Sequence, residues 1–318
     1  MLSYKDFEEK QIVVITSDEF KNLKLKNDNI AIYQDEKLVN QASCYKIFYL
    51  FVIWDCTITT KLINKLLEFG ISVYFLNHNL APKFLIWNQL EWNFLLRQKQ
   101  YNFDQELMLS QKIVNNKAEN QLSLLKNIRN KDEKIKEWIN KIKILIKNLN
   151  KTENQDSLRW YEWNISKIFF EIYFKNLNWY KRMPRTKVDP TNLLMDIGYT
   201  FLYNFIESNL NLYWFDIYKW FYHQMFFQRK SLVCDLVEPF RCIVDKQIVK
   251  MNNLNQINEK DFKFGKGEYW LPWKNRNYYV KLLLEPILEN KEWIFKFCKS
   301  YYRAFVKDDL EELDFFSI

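Results

Sequence analysis

Glycine and proline are scarce in this 318-residue sequence, which has four of one and six of the other. That excludes collagen-like and Gly/Pro-rich disordered classes and leaves little room for long loops. It also argues against a glycine-cradled phosphate loop. The late glycine-bearing stretch "FGKGEYWLPW" (264–273) lacks the third glycine and the preceding strand of a dinucleotide fingerprint, so it reads as a turn. The five cysteines (Cys44, Cys56, Cys234, Cys242, Cys298) are odd in number and contain no C-x-x-C pair. A zinc ribbon and a disulfide framework are therefore not expected, and the thiols read as small core residues in a reducing compartment. No long hydrophobic run occurs. The longest, 47–54 in "KIFYLFVIWD", is far too short to span a bilayer, and "MLSYKDFEEK" carries charges where a signal peptide needs apolar residues. The expectation is a soluble, cytoplasmic protein.

What the chain does have is apolar mass. Hydrophobic residues make up 48% and aromatics 18%, enough for a substantial core in one large domain or two ordinary ones. Forty-seven Lys and Arg against 39 Asp and Glu give a net charge of +8, an excess that favours polyanionic partners without singling one out. The abundance of Lys, Asn and Ile is also what AT-rich codon usage produces.

The hydrophobic period changes once along the chain. Up to residue 88, "QIVVIT" (11–16), "NIAIY" (29–33), 47–54 and "ISVYFL" (71–76) are β-branched and aromatic runs between Asn/Asp-rich turns. One helix interrupts them, with Ile58, Leu62, Ile63, Leu66 and Leu67 on one face and Gly70 as its stop. A small sheet with one helix is expected. From about Trp92 the period is helical: an amphipathic stretch to about Ile128, then one carrying Ile135, Trp138, Ile142, Leu145 and Leu149. Further helices are expected over 157–177, from about Thr191 to Leu210, and from about Leu232 to Met251. The predicted class is α+β, with a β-rich domain over 1–88 followed by a larger all-α domain over 89–318.

Polar residues interrupt the apolar helical faces at a few positions. Glu162 lies in "RWYEWNISKIFFEIYF", and His223, one of two histidines, lies in "KWFYHQMFF". Asp235 and Glu238 follow at i and i+3, on one face if the segment is helical, although Pro239 would kink a continuous helix there. A carboxylate within an apolar surface must be paired, protonated or bound to a cation. Two carboxylates and a neutral imidazole could hold one divalent ion, Mg²⁺ or Mn²⁺. The plainer alternative is a polar rim on a helical core: a structural histidine, Glu162 paired with Arg159 or Lys167, and Glu238 paired with Arg241. His78, in "FLNHNLAPKF", reads as a surface-loop histidine. Lys181, Arg182, Arg185 and Lys187 crowd one loop, and Arg229, Lys230 and Arg241 flank the acids. Cations interleaved with candidate ligands suit a phosphodiester backbone, and solvated surface charge is the alternative for each one singly.

Four stretches together resemble one family. The opening "LKLKNDNIAIYQDEKLV" with "TITTKLINKLLEFGISVYFLNHNLAPKFLIWN", then "YEWNISKIFFEIYF", "DPTNLLMDIGYTFLY" and "HQMFFQRKSLVCDLVEPFR", follow in order the pattern of the Cas-one family, the CRISPR-associated integrases of spacer acquisition. The resemblance implies a β-rich dimerisation domain and a helical catalytic domain. It implies that Glu162, His223 and Glu238 are metal ligands for Mg²⁺ or Mn²⁺, with Asp235 supporting them. Tyr199 and Arg241 fall on positions close to the DNA backbone, to which Lys181, Arg182, Arg185, Arg229 and Lys230 are added from their charge.

The implied activity is metal-dependent DNA integration and endonuclease chemistry: the 3′-OH of a short DNA fragment (a prespacer) attacks a phosphodiester at the border of a leader-adjacent CRISPR repeat. The implied partners are double-stranded DNA, a second copy or higher oligomer, and the small Cas-two protein. The reading from another class is a non-catalytic nucleic-acid-binding scaffold. Two departures from the family pattern stand out, Trp163 directly after Glu162 and Lys219–Trp220 before His223, where the family often has glycine. They suggest a locally repacked site.

Overall fold

In the amino-terminal region the chain forms two four-stranded sheets rather than one small one. The first has β1 (Gln11–Thr16), β5 (Ile47–Ile53), β7 (Ser72–Leu76) and β8 (Pro82–Ile86) side by side. Its inner pairs are parallel and its β7–β8 pair antiparallel. Every residue of β5 is buried, as a central strand covered on both faces requires. The second sheet runs β4 (Lys37–Ser43), β3 (Asn29–Gln34), β2 (Lys21–Lys26) and β6 (Cys56–Ile58). β2 ("KNLKLK") and β4 ("KLVNQAS") are too lysine- and asparagine-rich to stand out by composition. They are strands because their backbones pair with β3, whose Ile30 and Ile32 are buried. Helix α1 (Thr60–Glu68) starts where Thr59 Oγ1 accepts the Leu62 N–H at 3.3 Å and ends before Gly70, whose φ of +68° is the left-handed stop. Its Leu62 and Leu66 join Leu23, Ile30, Leu50, Val52 and Val73 in one apolar core.

The computed structural model describes residues 10–16, 20–53, 55–77, 82–86, 94–177, 179–223 and 229–318. His78, Trp54 and residues 224–228 of the histidine block lie outside them. The chain divides into two compact units, Met1–Trp92 with Leu271–Lys281, and Asn93–Trp270 with Leu282–Ile318.

The second unit is helical apart from one hairpin. The stretch read as a single helix to Ile128 is two, α2 (Phe94–Tyr101) and α3 (Glu106–Lys126), with "NFDQ" between them. Asn and Asp offer the backbone alternative hydrogen bonds and favour such a break. α4 (Glu133–Leu149) and α5 (Gln155–Tyr173) pack on α3. The face of α4 is centred on Ile135, Ile139, Ile142, Ile146 and Leu149. α6 (Pro190–Asn211) has Pro190 in its first turn and Asp189 as N-cap, accepting the Asn192 N–H at 2.7 Å. With 18 of its 22 residues buried, α6 is the internal helix of the unit.

The expected helix from Leu232 to Met251 is interrupted. α7 (Ser231–Val237) and α8 (Arg241–Asn253) are separated by a 3₁₀ turn at Glu238–Phe240, because Pro239 cannot donate a backbone hydrogen bond. "FGKGEYW" is a short hairpin, β9 (Lys263–Gly265) with β10 (Glu268–Trp270), turning at Gly267 with φ +83°. Two helices lie beyond the last helix read from the sequence, α9 (Trp273–Glu289) and α10 (Lys291–Lys307). The fold class is α+β, a β-rich amino-terminal part followed by a mostly helical one. Among the described residues no helix is long and apolar enough to cross a membrane.

Gly198 is where α6 meets α8 most closely. A Cβ there would lie 2.6 Å from Val244 Cγ1, nearer than carbon atoms pack. Gly198→Ala is expected to lower stability by about 1–3 kcal/mol, the usual cost of overpacking a core. Urea denaturation of the variant beside the unaltered chain measures it.

Candidate active site

Three segments of the helical unit converge on one spot. α5 contributes Glu162, the segment before α7 contributes His223, and the Pro239 turn contributes Glu238. α3 underlies them. Its Asn120 donates to the Pro239 carbonyl at 3.2 Å and to the Phe316 carbonyl at 3.0 Å, fixing the turn that carries Glu238.

Asp235 is fully buried and organises the histidine segment. Its Oδ2 accepts the backbone N–H groups of Phe221 (3.0 Å) and Tyr222 (3.1 Å), and its Oδ1 accepts that of His223 (2.8 Å). The same Oδ1 lies 2.7 Å from His223 Nδ1. A carboxylate oxygen only accepts, so Nδ1 carries a proton. Nε2 points toward Glu238 Oε1, 3.7 Å away. This is the arrangement by which an outer carboxylate orients a ligating imidazole.

Glu238 is only 3% exposed. Burial alone would raise its pKa, but Arg241, Lys117 and His223 together hold the carboxyl well below its ordinary range. Arg241 Nε donates to Oε1 at 2.9 Å. Lys117 Nζ forms an ion pair with Oε2 at 2.7 Å. Glu162 receives a short hydrogen bond from the same Lys117 ammonium, and Tyr222 O–H donates to its other oxygen at 3.2 Å.

Among the described residues no three His, Cys, Asp or Glu side chains enclose an ion position as they stand. Lys117 lies between Glu162 and Glu238. The donor set nevertheless suits a divalent cation: two carboxylates facing one ammonium, beside an imidazole held in place by Asp235.

The sequence model of the family described as CRISPR associated protein Cas1 matches residues 13–285. The chain belongs to the Cas1 family. It is 29% identical to the CRISPR-associated endonuclease Cas1 1 of Thermodesulfovibrio yellowstonii over 252 residues, covering 76% of this chain and 79% of that one. Over 169 residues it is 31% identical to the CRISPR-associated endonuclease Cas1 of Leptospira interrogans, covering 49% and 66%. In fold it is similar to a Cas1 protein of Thermotoga maritima, with TM-score 0.79, 18% identity and coverage of 93% and 97%. It is similar also to a casposase bound to integration product, with TM-score 0.74, 17% identity and coverage of 96% and 93%. A chain of a Cas6-RT-Cas1–Cas2 complex superposes with TM-score 0.82 at 19% identity, and there this chain spans 36% of the longer one.

In this Cas1 chain the bland pairings expected for Glu162 do not form. Arg159 pairs with Asp156 at 2.7 Å, and Lys167 lies over the Trp163 ring. The expected Glu238–Arg241 pair does form. At the positions where the resemblance suggests glycine, the bulky side chains turn elsewhere. Trp163 is 58% exposed, and Lys219 reaches Glu106 at 2.7 Å.

The expected DNA-contacting residues divide by environment. Tyr199 is buried, its ring between Arg241 (4.8 Å) and Arg182 (5.4 Å) and its O–H on Asp245 at 2.5 Å. It braces Arg241 from beneath. Arg182 is engaged by Asn192 (2.9 Å) and Asp196 (2.5 Å), and Lys230 by buried Glu207 (2.7 Å). Arg229 donates to Cys234 Sγ at 3.3 Å, and Lys187 pairs with Glu268 at 2.9 Å. Lys181 and Arg185 are exposed. Sequence reasoning missed Lys117, Tyr222 and Asp245. For Lys117 the signal is a polar stripe, Asn116, Lys117, Asn120 and Gln121, on a helix whose other inward positions are Ile113, Val114 and Leu124.

Asp245 is buried, and burial raises its carboxyl to about 7 against the lowering influence of Tyr199, Arg241, Arg182 and Lys117. A carboxyl with a raised native pKa binds its proton more tightly folded than unfolded. Its contribution therefore falls as pH rises from about 4 to about 7 and is level above that. Asp245→Asn removes this loss while leaving an acceptor for Tyr199. Relative to the unaltered chain, the variant is expected to gain roughly 2 kcal/mol between pH 5 and pH 8, since one pKa unit is worth about 1.4 kcal/mol. Denaturation at the two pH values reads the difference.

Proposed function

We propose that this chain is a divalent-metal-dependent DNA integrase and endonuclease that inserts short DNA fragments into a CRISPR repeat array. The observation that carries the reading is the convergence of Glu162, Glu238 and an Asp235-oriented His223 in a chain of the Cas1 family. Glu162, His223 and Glu238 would hold Mg²⁺ or Mn²⁺. Such an ion lowers the cost of deprotonating a hydroxyl and offsets charge on a phosphorane-like transition state.

The chain's own groups do the rest. Asp235 keeps the imidazole in one tautomer and one orientation. Arg241, set on Tyr199 and bound to Glu238, supplies fixed positive charge beside the reacting phosphate. The exposed Lys181 and Arg185 approach the backbone of the duplex, so binding weakens with salt. In the reaction the 3′-oxygen of the incoming fragment forms a bond to phosphorus and gives up its proton. The repeat strand's 3′-oxygen leaves and takes one up, so no covalent enzyme intermediate is required. Two repeat ends call for two such sites, hence a homodimer or larger assembly through the β-rich unit. The family name and the Cas1–Cas2 complexes among similar structures support DNA and the small Cas2 protein as partners.

Joining of a 3′-OH oligonucleotide to repeat DNA by the purified chain, with Mn²⁺ and with chelator, tests the reading. Glu162→Ala, His223→Ala and Glu238→Ala should each lower joining at least 100-fold, as chelator should, while DNA binding persists. Joining at the unaltered rate by any folded variant of the three removes the assigned site. DNA binding without metal-dependent turnover in the unaltered chain would indicate a scaffold instead.

A further inference from the structure

The central group of the site is a cation that belongs to the chain. Lys117 rises from α3 with its ammonium between Glu162 and Glu238, hydrogen-bonded to one and 2.7 Å from an oxygen of the other. Its side chain is 11% exposed, against 22% for that of Glu162 and 4% for that of Glu238. The two carboxylates come from different elements, α5 and the Pro239 turn. Without a positive charge between them they would repel each other in a poorly hydrated place.

A Mg²⁺ or Mn²⁺ ion held by these carboxylates needs oxygens at about 2.0–2.1 Å. One of them, Glu238 Oε2, is the oxygen facing the ammonium. An ion and an ammonium cannot share that space. At a few ångströms in a partly buried site their like charges repel strongly. Lysine can resolve the conflict because its charge rides on four rotatable methylenes and its ammonium is readily hydrated, whereas an arginine locked in a planar fork would be slower to yield.

We propose that Lys117 is a built-in counter-cation that a divalent ion must displace: it holds Glu162 and Glu238 together when no ion is bound and sets the metal concentration at which the site fills. This rests on the reading of Glu162, His223 and Glu238 as ligands. It adds that the residue between them competes for the same oxygens. A lysine with a purely architectural role would strengthen or leave unchanged the affinity for the ion. A competitor weakens it.

The test uses the full chain as unaltered protein, Lys117→Met and His223→Ala. Free Mn²⁺ is followed by electron paramagnetic resonance during titration, and thermal unfolding is recorded with and without Mn²⁺. Lys117→Met should bind Mn²⁺ at least tenfold more tightly than the unaltered chain. Its unfolding midpoint should be lower without metal and rise further on adding it. An equal or weaker Mn²⁺ affinity in Lys117→Met overturns the inference and leaves the metal site standing. Absence of Mn²⁺ uptake in both proteins, or uptake that survives His223→Ala, overturns the ligand assignment and the inference with it. Should Lys117→Met not fold, amine-reactive labelling of the unaltered chain decides. Modification of Lys117, read by mass spectrometry, should rise several-fold with Mn²⁺, and a rate that stays level or falls overturns the inference.

Discussion

The helical unit is organised around a carboxylate that water hardly reaches. Glu238, 3% exposed, remains ionised only because Arg241, Lys117 and His223 surround it. Each of these comes from a different place: Arg241 from the first turn of α8, Lys117 from the middle of α3, His223 from the segment before α7. Satisfying one buried charge therefore ties three parts of the chain together. Removing one partner of such a group costs more than the pair contributes when intact, because the remaining charge is stranded. The constraint extends to the next layer. Arg241 is braced by Tyr199, Tyr199 by Asp245, and Arg182 closes the stack from the far side.

The helix break at Pro239 belongs to the same arrangement. Asp235 and Glu238, three residues apart, share a face, and the two carboxylates take opposite edges of one imidazole, Nδ1 and Nε2. Asp235 turns to the His223 segment, where it accepts three backbone N–H groups and fixes the imidazole. Glu238 turns to α3, where Asn120 secures its turn through the Pro239 carbonyl.

Much of this was legible in the sequence, unevenly and for physical reasons. β3, β5 and β7 announce themselves because their central side chains are buried, and burial selects β-branched and aromatic residues, which β1 shares although only Ile15 among its described side chains is buried. β2 and β4 do not, since an exposed strand is held by backbone pairing, which composition does not record. α9 and α10 carry their apolar residues among so many lysines, asparagines and tyrosines that the period is blurred. In α10 it becomes visible once Ile294, Phe297, Cys298, Tyr301 and Phe305 are seen to be buried together. Glu162, His223, Asp235 and Glu238 were visible as polar residues on apolar faces, and the family resemblance placed them in one site. Lys117 was not, because a lysine in an amphipathic helix reads as solvent-facing unless the phase of every neighbour is known. The resemblance places Tyr199 close to the DNA backbone, and in the fold its O–H rests on buried Asp245.

At the two places where the family resemblance suggests glycine, Trp163 and Lys219 are accommodated by the same economy of space. A glycine after Glu162 is dispensable when the next side chain points off the helix into solvent, and Trp163 does so at 58% exposure. Lys219 can replace a glycine before the histidine segment because Glu106 on α3 draws its ammonium away from the cleft, with the Phe221 ring 5.0 Å beneath it. Both leave the geometry around Glu162, His223 and Glu238 to residues that do face inward: Asp235 beneath the histidine, Asn120 beneath the turn and Lys117 between the carboxylates. The site tolerates bulk on its rim because its shape is set from behind, by α3 and by a buried carboxylate, and not by the thinness of the segments in front.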